Sequence, residues 1–529
     1  MFYRVSGILL YPEEKRDLLR EKAAKIMRVS PDRIQKLTLY RSSLDARKGK
    51  PLFSYTVDVE LSGGSRPLLS NQCKKTEKPV SYSVTKRRCP DVRPIVVGFG
   101  PAGMFASLLL AKAGLQPIVI ERGKRVEERV IDVKAYFDGE ALNTESNVQF
   151  GEGGAGTFSD GKLNTLLKDK NYRGRFVLEE LVKAGAPEEI LYQNKPHVGT
   201  DRLRGAVRAI REEIIRLGGS FYFQHRFLAP IEENGALKGI RVLSEFGEKT
   251  FPCETLFLGI GHSARDTFRA LCNCGIRMEK KIFSVGVRIE HLQKKINFAQ
   301  FKTLSPYLPA ADYKLAVPLS CGKTLYTFCM CPGGVVVPSA SEEGGVVVNG
   351  MSYHSRNGIN ANSALLLNVL PEELPEDVLS GFTYQRALEE KAYLAGGANG
   401  KAPCQMAGDF LLGRKSTEIG EVVPSYSRGY SLSSMEEIMP SEYVSALKEG
   451  IVKMGGILTG FDAPDAILTA VESRATCPVR LLRDDSFQSS LKGLYPIGEG
   501  AGYAGGIMSS AMDGMKAVEK YIESLEEIQ

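Results

Sequence analysis

Residues 95–123 read IVVGFGPAGMFASLLLAKAGLQPIVIERG. An apolar triplet, glycines at 98, 100 and 103, an apolar helix pattern, a second apolar run and an acid follow one another as in a strand–turn–helix–strand unit. In such a unit Gly98 allows the tight turn, Gly100 lets a diphosphate approach the backbone, and Gly103 lets helix and strand pack closely. Pro101 and Ala102 open the helix, where unpaired N–H groups and the helix dipole favour negative charge. Glu121 closes the second strand 18 residues after Gly103, the place of an acid that hydrogen-bonds a ribose hydroxyl. A carboxylate there repels a 2′-phosphate, which disfavours NADP in this unit. Arg122, next in the chain, is assigned to the same site.

The glycine pattern recurs as GAGYAG at Gly500–Gly505, followed by 24 residues, enough for a helix but hardly for another strand. It is therefore not a second complete unit, and it needs its own explanation. In KGLYPIGEGAGYAGGIMSSAMDG a strand ends at Gly498, Glu499 and Gly500, and a helix starts near Ile507, just after Gly505 and Gly506. A third cluster, NVQFGEGGAGTFSDGKLNT from 147 to 165, contributes Gly153, Gly154, Ala155, Gly156 and Thr157. Glycines at such a loop permit close backbone approach and offer N–H donors to a cofactor ring. Gly261, at the end of a later strand pattern, is counted with these.

These segments, with GHSARDTF, FCMCPGG and VVVNGMS, resemble the bacterial family of FAD-dependent dehydrogenases or oxidoreductases of undetermined substrate. In FAD enzymes of this type the C-terminal strand end presents an acid to the ribityl chain and the following helix points at the pyrimidine ring. That acid is usually Asp where this chain has Glu499. The resemblance implies FAD and an α/β fold but supplies no reaction. That fold is a discontinuous Rossmann-like FAD/NAD(P)-binding domain with an inserted α+β cap domain and a small N-terminal α/β module. An oxidoreductase is expected from the flavin, non-covalent binding from the lack of His and Cys in the glycine loop, and a cytoplasmic location from the lack of a membrane or signal segment. No second complete nucleotide unit is present, so NAD(P)H enters at most as a transient visitor, and a small-molecule substrate or redox partner is expected.

Composition fits this picture. The 529 residues exceed what one core usually serves. A net charge of +7, with 43% apolar and 25% charged residues, marks an ordinary globular protein that does not demand nucleic acid. No apolar run reaches the roughly 20 residues of a bilayer-spanning helix, and the N-terminal segment turns acidic too soon for a signal peptide. Residues 1–90 read as the small module plus a Pro-containing basic linker, 93–283 and 455–529 as the FAD-binding domain, and 284–454 as the cap. The basic stretches DARKGK and TKRRC read as solvated surface, and nucleic-acid modification through them is a secondary expectation. Ten cysteines include two pairs spaced by one residue, Cys272/Cys274 and Cys329/Cys331, read as small inward-facing residues rather than half of a metal site.

No local triad or metal constellation is visible, so the flavin would carry the redox step. The candidates for assisting it are Lys162 in the third glycine cluster, His262 and Arg265 after Gly261, and Arg474 and Arg480 before the last strand. A cation near the flavin, or an arginine fork for an anionic substrate, is the chemistry they offer. For Arg265 the alternative is a pairing with a nearby acid behind a Ser263 cap, and for Arg474 and Arg480 it is surface ion pairing.

Overall fold

The computed structural model describes residues 1–525 apart from 48, 64–65, 78–79 and 166. The triplets Ile95–Val97 and Leu256–Leu258 are buried throughout, and Ile118–Ile120 nearly so, as short strands covered on both faces must be. They build a five-stranded parallel sheet in the order Leu494–Pro496, Leu256–Leu258, Ile95–Val97, Ile118–Ile120, Ser220–Tyr222. The helix Pro101–Lys112 is apolar almost all round because it is enclosed, packing on the helices Thr200–Arg216 and Ile507–Glu523. Two glycines set how closely it sits: a Cβ at Gly103 would lie 1.9 Å from the Gly98 carbonyl oxygen, and one at Gly514 would lie 2.3 Å from that of Ala102. Along the chain between this sheet's strands Ile118–Ile120 and Leu256–Leu258 run the helix Thr200–Arg216 and an antiparallel ribbon of Arg226–Glu233, Ala236–Ser244 and Gly247–Pro252.

A second sheet of seven strands is centred on Phe283–Leu292, every residue of which is buried. That strand lies antiparallel between Asn360–Val369 and Ile467–Glu472. The expected return to the first domain at 455 is therefore too early. Ile467–Glu472 still belongs to the second sheet, and the parallel sheet is rejoined only at Leu494–Pro496. Periodicity could not show this, because a buried run such as ILTAVE fits either sheet equally well.

The N-terminal module is a four-stranded sheet, Ile34–Asp45, Leu52–Leu61, Phe2–Leu10 and Cys73–Lys75, closed by the helix Leu18–Met27 over a core that includes Val5, Ile8, Leu19 and Val57. Its edge docks on the dinucleotide domain: the Ser42 N–H donates to the Tyr192 carbonyl at 2.7 Å, and the Asn194 N–H to that of Ser42 at 2.8 Å.

The basic linker needs correction. Between residues 80 and 94 some of its side chains are laid on the dinucleotide domain, while Val80, Lys86 and Arg88 stay exposed. Tyr82 packs on the Phe176 ring at 4.8 Å and donates to Glu519 at 2.6 Å. Arg87 of TKRRC is buried and donates to the Ile522 carbonyl at 3.1 Å, and Arg93 reaches the carbonyls of Gln116 and Gly218. In DARKGK, Arg47 is exposed and paired with Asp45, while Lys48 lies outside the described residues. The expected inward set of cysteines also fails in part, since Cys274 is exposed and Cys272 half-buried at the end of the helix Arg265–Asn273. Among the described residues no group of His, Cys, Asp or Glu could hold a metal ion, and no helix is long and apolar enough to cross a membrane.

Candidate functional site

The three glycine segments, far apart in sequence, meet at one end of the parallel sheet. A Cβ at Gly154 would come within 2.9 Å of the Gly100 Cα, one at Gly156 within 3.2 Å of Ile507, and one at Gly500 within 2.4 Å of the Gly261 carbonyl oxygen. The Gly153 N–H donates to the Phe99 carbonyl at 2.8 Å, tying the loop to the first turn. Gly98 has φ of 86° and a space where a Cβ would meet the Gly259 carbonyl oxygen at 2.3 Å, so no other residue fits that turn. Both helices that start here, Pro101–Lys112 after Gly100 and Ile507–Glu523 after Gly506, lack a side-chain cap. Their first N–H groups are thus left for a ligand or solvent.

Glu121 is buried and accepts the N–H groups of Phe99 at 2.8 Å, Gly123 at 2.9 Å and Gly151 at 3.1 Å. It binds the strand end, the first turn and the glycine loop into one body. Arg122, assigned to the same site in sequence, is placed elsewhere. Its guanidinium lies over the Phe150 ring and pairs with Glu145 and Asp266 at 2.9 and 3.1 Å.

The group that shapes the glycine loop is one the sequence did not reveal. Arg129, fully buried on the helix Val126–Phe137, donates to five carbonyls of the loop: Asn147, Val148, Gly151, Glu152 and Gly154, at 2.7 to 3.1 Å. Burial pulls its pKa down to about 9, against the pull of Glu121 and Glu152, so the charge persists at neutral pH. Nothing in the sequence marks this arginine, because the helix around it has an ordinary amphipathic pattern and its partners are main-chain atoms. Glu152 beside it accepts the Val126 N–H at 2.7 Å and an Arg211 donor at 2.9 Å, while its Oε1 is buried without a partner. Burial pushes Glu152 up to about 7.

At the C-terminal segment the Gly498 N–H donates to Asp513 at 2.8 Å, and Arg483 clamps the same carboxylate at 2.6 and 2.9 Å. Glu499 faces His262, with Oε1 to Nδ1 at 3.5 Å. Burial pushes Glu499 up to about 7, with Lys281 opposing and Cys329 adding to the shift. His262 is pushed down to about 3 by burial, with Arg474 and Arg265 adding, so the imidazole is neutral; its Nε2 is buried and unpartnered.

Lys162, on the glycine loop, is also held by an acid. It pairs with the buried Asp160 at 3.1 Å and donates to the Met330 carbonyl. Burial works against its charge, but Cys331, Asp160 and Cys329 outweigh it and raise its pKa. Asp160 in turn is held well below the usual carboxylate range, against burial, by Lys162 and Arg356. Arg265 and Arg474 instead converge on the fully buried Glu389, at 2.8 and 2.9 Å, and both touch Glu342. The acid-pairing alternative is correct for Arg265, and for Arg474 the pairing is buried rather than superficial. The supposed Ser263 cap is absent: its hydroxyl donates to Gln149 at 3.1 Å. Arg480 pairs with Glu279 at 2.9 Å, both partly exposed.

Residues 282–475 match the family model described as FAD-dependent protein, C-terminal domain-like, a range that coincides with the seven-stranded sheet. Residues 3–60 match a domain of unknown function, DUF8436. An uncharacterized protein of Clostridium beijerinckii is 46% identical over 540 residues, covering 99% of each chain. The chain belongs to one family with this full-length relative, and its residues 282–475 to the FAD-dependent protein, C-terminal domain-like family. Its cofactor is FAD. The residues at the junction fit that cofactor: two uncapped helix N-termini, glycines with open space at 261, 505 and 506, and the orphaned His262 Nε2. Among solved structures, a geranylgeranyl bacteriochlorophyll reductase-like protein from Thermoplasma acidophilum is a loose likeness, with 13% identity and a TM-score of 0.36 over 82% of this chain and 79% of that one. So is the glycerol-3-phosphate dehydrogenase from Bacillus halodurans complexed with FAD, at 11%, 0.36, 83% and 66%.

Proposed function

We propose that this chain is an FAD-dependent oxidoreductase whose cofactor lies where the three glycine segments meet. The observation that carries the reading is the convergence of the two uncapped helix N-termini on the loop held by Arg129. FAD supplies two-electron redox chemistry when bound. The protein's own groups bind and position. Gly98, Gly100, Pro101, Ala102 and Gly103 offer the diphosphate a helix N-terminus, and Glu121 offers carboxylate lone pairs to a ribose hydroxyl. Residues Gly153 to Thr157 supply close backbone. Gly261, Gly498 to Gly500 and Gly505 to Ile507 receive the far end of the cofactor, with Glu499 and the neutral His262 as polar contacts. Lys162 contributes a positive charge that stabilises an anionic reduced ring. Arg122, Arg265, Arg474 and Arg480 are paired with acids and left to structure, whereas Lys162, though paired with Asp160, sits on the third glycine segment itself.

The reading is tested by anaerobic reduction of the purified yellow protein. Dithionite should bleach the flavin, and an organic acceptor or donor from a panel should restore or bleach it catalytically. A flavin that exchanges electrons with no organic compound, NADH or NADPH in such a panel counts against oxidoreductase function.

A further inference from the structure

One pair of residues is not absorbed by this reading. Cys329 and Cys331 lie on the strand Thr324–Cys331 at a bulge, where pairing with the strand Asn360–Val369 slips between Phe328 and Cys331. In a regular strand, residues two apart stand at about 6.6–6.8 Å, near the limit for a disulfide. Here Cys329 adopts φ of 43°, a left-handed conformation uncommon for a non-glycine residue and frequent at functional sites. The turn folds the strand back so that the Cys331 thiol donates to the Cys329 carbonyl oxygen at 3.2 Å, and the two thiols lie close enough to shift each other's proton affinity.

The surroundings are charged in a way that favours a thiolate. Lys162 of the glycine loop donates to the carbonyl of Met330, the residue between the two cysteines. The fully buried Arg288 donates to the Cys329 carbonyl at 2.8 Å and stands 3.9 Å from the Cys331 sulfur. Asp160, Glu472 and Glu499 oppose these cations, but Asp160 and Glu472 are themselves paired with Lys162 and Arg288. The balance pulls Cys329 down and pushes Cys331 up, each thiol being the largest influence on the other. Cys329 is half-buried and Cys331 fully buried, so Cys329 is the member of the pair nearer the surface.

We propose that Cys329 and Cys331 are a redox-active dithiol that exchanges an electron pair with the FAD of this protein, making disulfides and thiols its substrate class. In the oxidising direction the sulfur–sulfur bond forms as the Cys331 S–H bond breaks. The electron pair and that proton pass to oxidised FAD, which ends as its two-electron-reduced monoanion, so charge and hydrogen balance with the Cys329 thiolate. Cys329 is the exchanging thiol and Cys331 the resolving one. Where the electrons go rests on the FAD reading above; the existence of the couple does not.

The experiment equilibrates the full-length protein with reduced and oxidised glutathione over a range of ratios, quenches in acid, alkylates and maps peptides. The tryptic segment 324–356 contains only these two cysteines. It should convert from doubly alkylated to an unalkylated form two hydrogens lighter than the free dithiol peptide. In C331S, Cys329 should be trapped as the glutathione adduct, while C329S should leave Cys331 unmodified. A segment that stays doubly alkylated at every ratio, or carries glutathione on either cysteine without closing, overturns the proposal. A second readout is anaerobic dithionite titration after oxidation by glutathione disulfide, in which wild type should take up two more electrons per FAD than C329S. Equal uptake overturns the link to the flavin. Loss of flavin from the protein as purified overturns the FAD site and leaves the peptide result standing.

Discussion

Arg129 concentrates the most structure in a single side chain, and its removal has a direct consequence. Arg129→Met leaves five loop carbonyls without donors in a dry setting, which should cost about 3–5 kcal/mol, the range for breaking a buried charged contact. Urea unfolding should show that loss, with FAD retention falling in the same variant. Full FAD retention and an unchanged midpoint would remove Arg129 from the site. Glu152 gives a pH signature. Its pKa is raised from an ordinary 4.5 to about 7, so the folded state binds the proton more tightly. The stability it lends is complete below about 4.5 and lost as pH rises to about 7. Relative to Glu152→Gln, wild type should therefore lose stability between about pH 4.5 and 7, by ~3 kcal/mol at most from the size of the shift. Parallel pH profiles of the two proteins in urea would contradict the assignment. Such residues are hard to read from sequence because their partners are backbone atoms or lie on other elements.

Between elements, Glu389 on the helix Ser380–Ala395 joins the two large sheets, since it is gripped by Arg265 from the dinucleotide side and Arg474 from the strand end of the second sheet. Its pKa is held far below the usual range, against burial, by those two arginines. Glu389→Gln should destabilise by about 3–5 kcal/mol because two buried guanidinium groups lose their main partner. Glu342→Gln, whose carboxylate is partly exposed, should cost ~1 kcal/mol or less. Thermal melts showing the reverse order would contradict this division. The element scale is also where sequence served best. The strand, turn, helix, strand and acid between Ile95 and Glu121 were legible because each step has a backbone requirement that residue type records, as at Gly98 and Gly103. The glycine clusters at 153–156 and 498–506 were legible as groups, but their meeting was not, since the contacts join residues hundreds of positions apart. The arginines at 265 and 474 could each be read as a ligand contact or as an ion-pair partner, and only the position of Glu389 decides between them.

At the scale of the whole molecule, a small module docks beside the parallel sheet, the seven-stranded sheet is fastened to that sheet, and the segment from 80 to 94 is fixed along it. The composition of that segment suggests a loose tether, yet Tyr82, Arg87 and Arg93 spend their polar groups on the dinucleotide domain. A truncated chain beginning at Val80 should fold and keep its FAD. One beginning at Asp91 should melt lower, because the Tyr82–Phe176 packing and the Arg87 contact with the final helix are gone. Equal melting temperatures would return the segment to a passive linker. The central claim, that the junction of the three glycine segments holds the FAD, is tested most directly by the ligand released on heat or acid from wild type and Gly100→Val purified without added cofactor. Mass spectrometry should find FAD, close to one per chain, in the wild-type supernatant and none from the variant, while circular dichroism shows both folded. FMN in place of FAD, colour retained in the precipitate, or a folded Gly100→Val protein with full FAD content would contradict it.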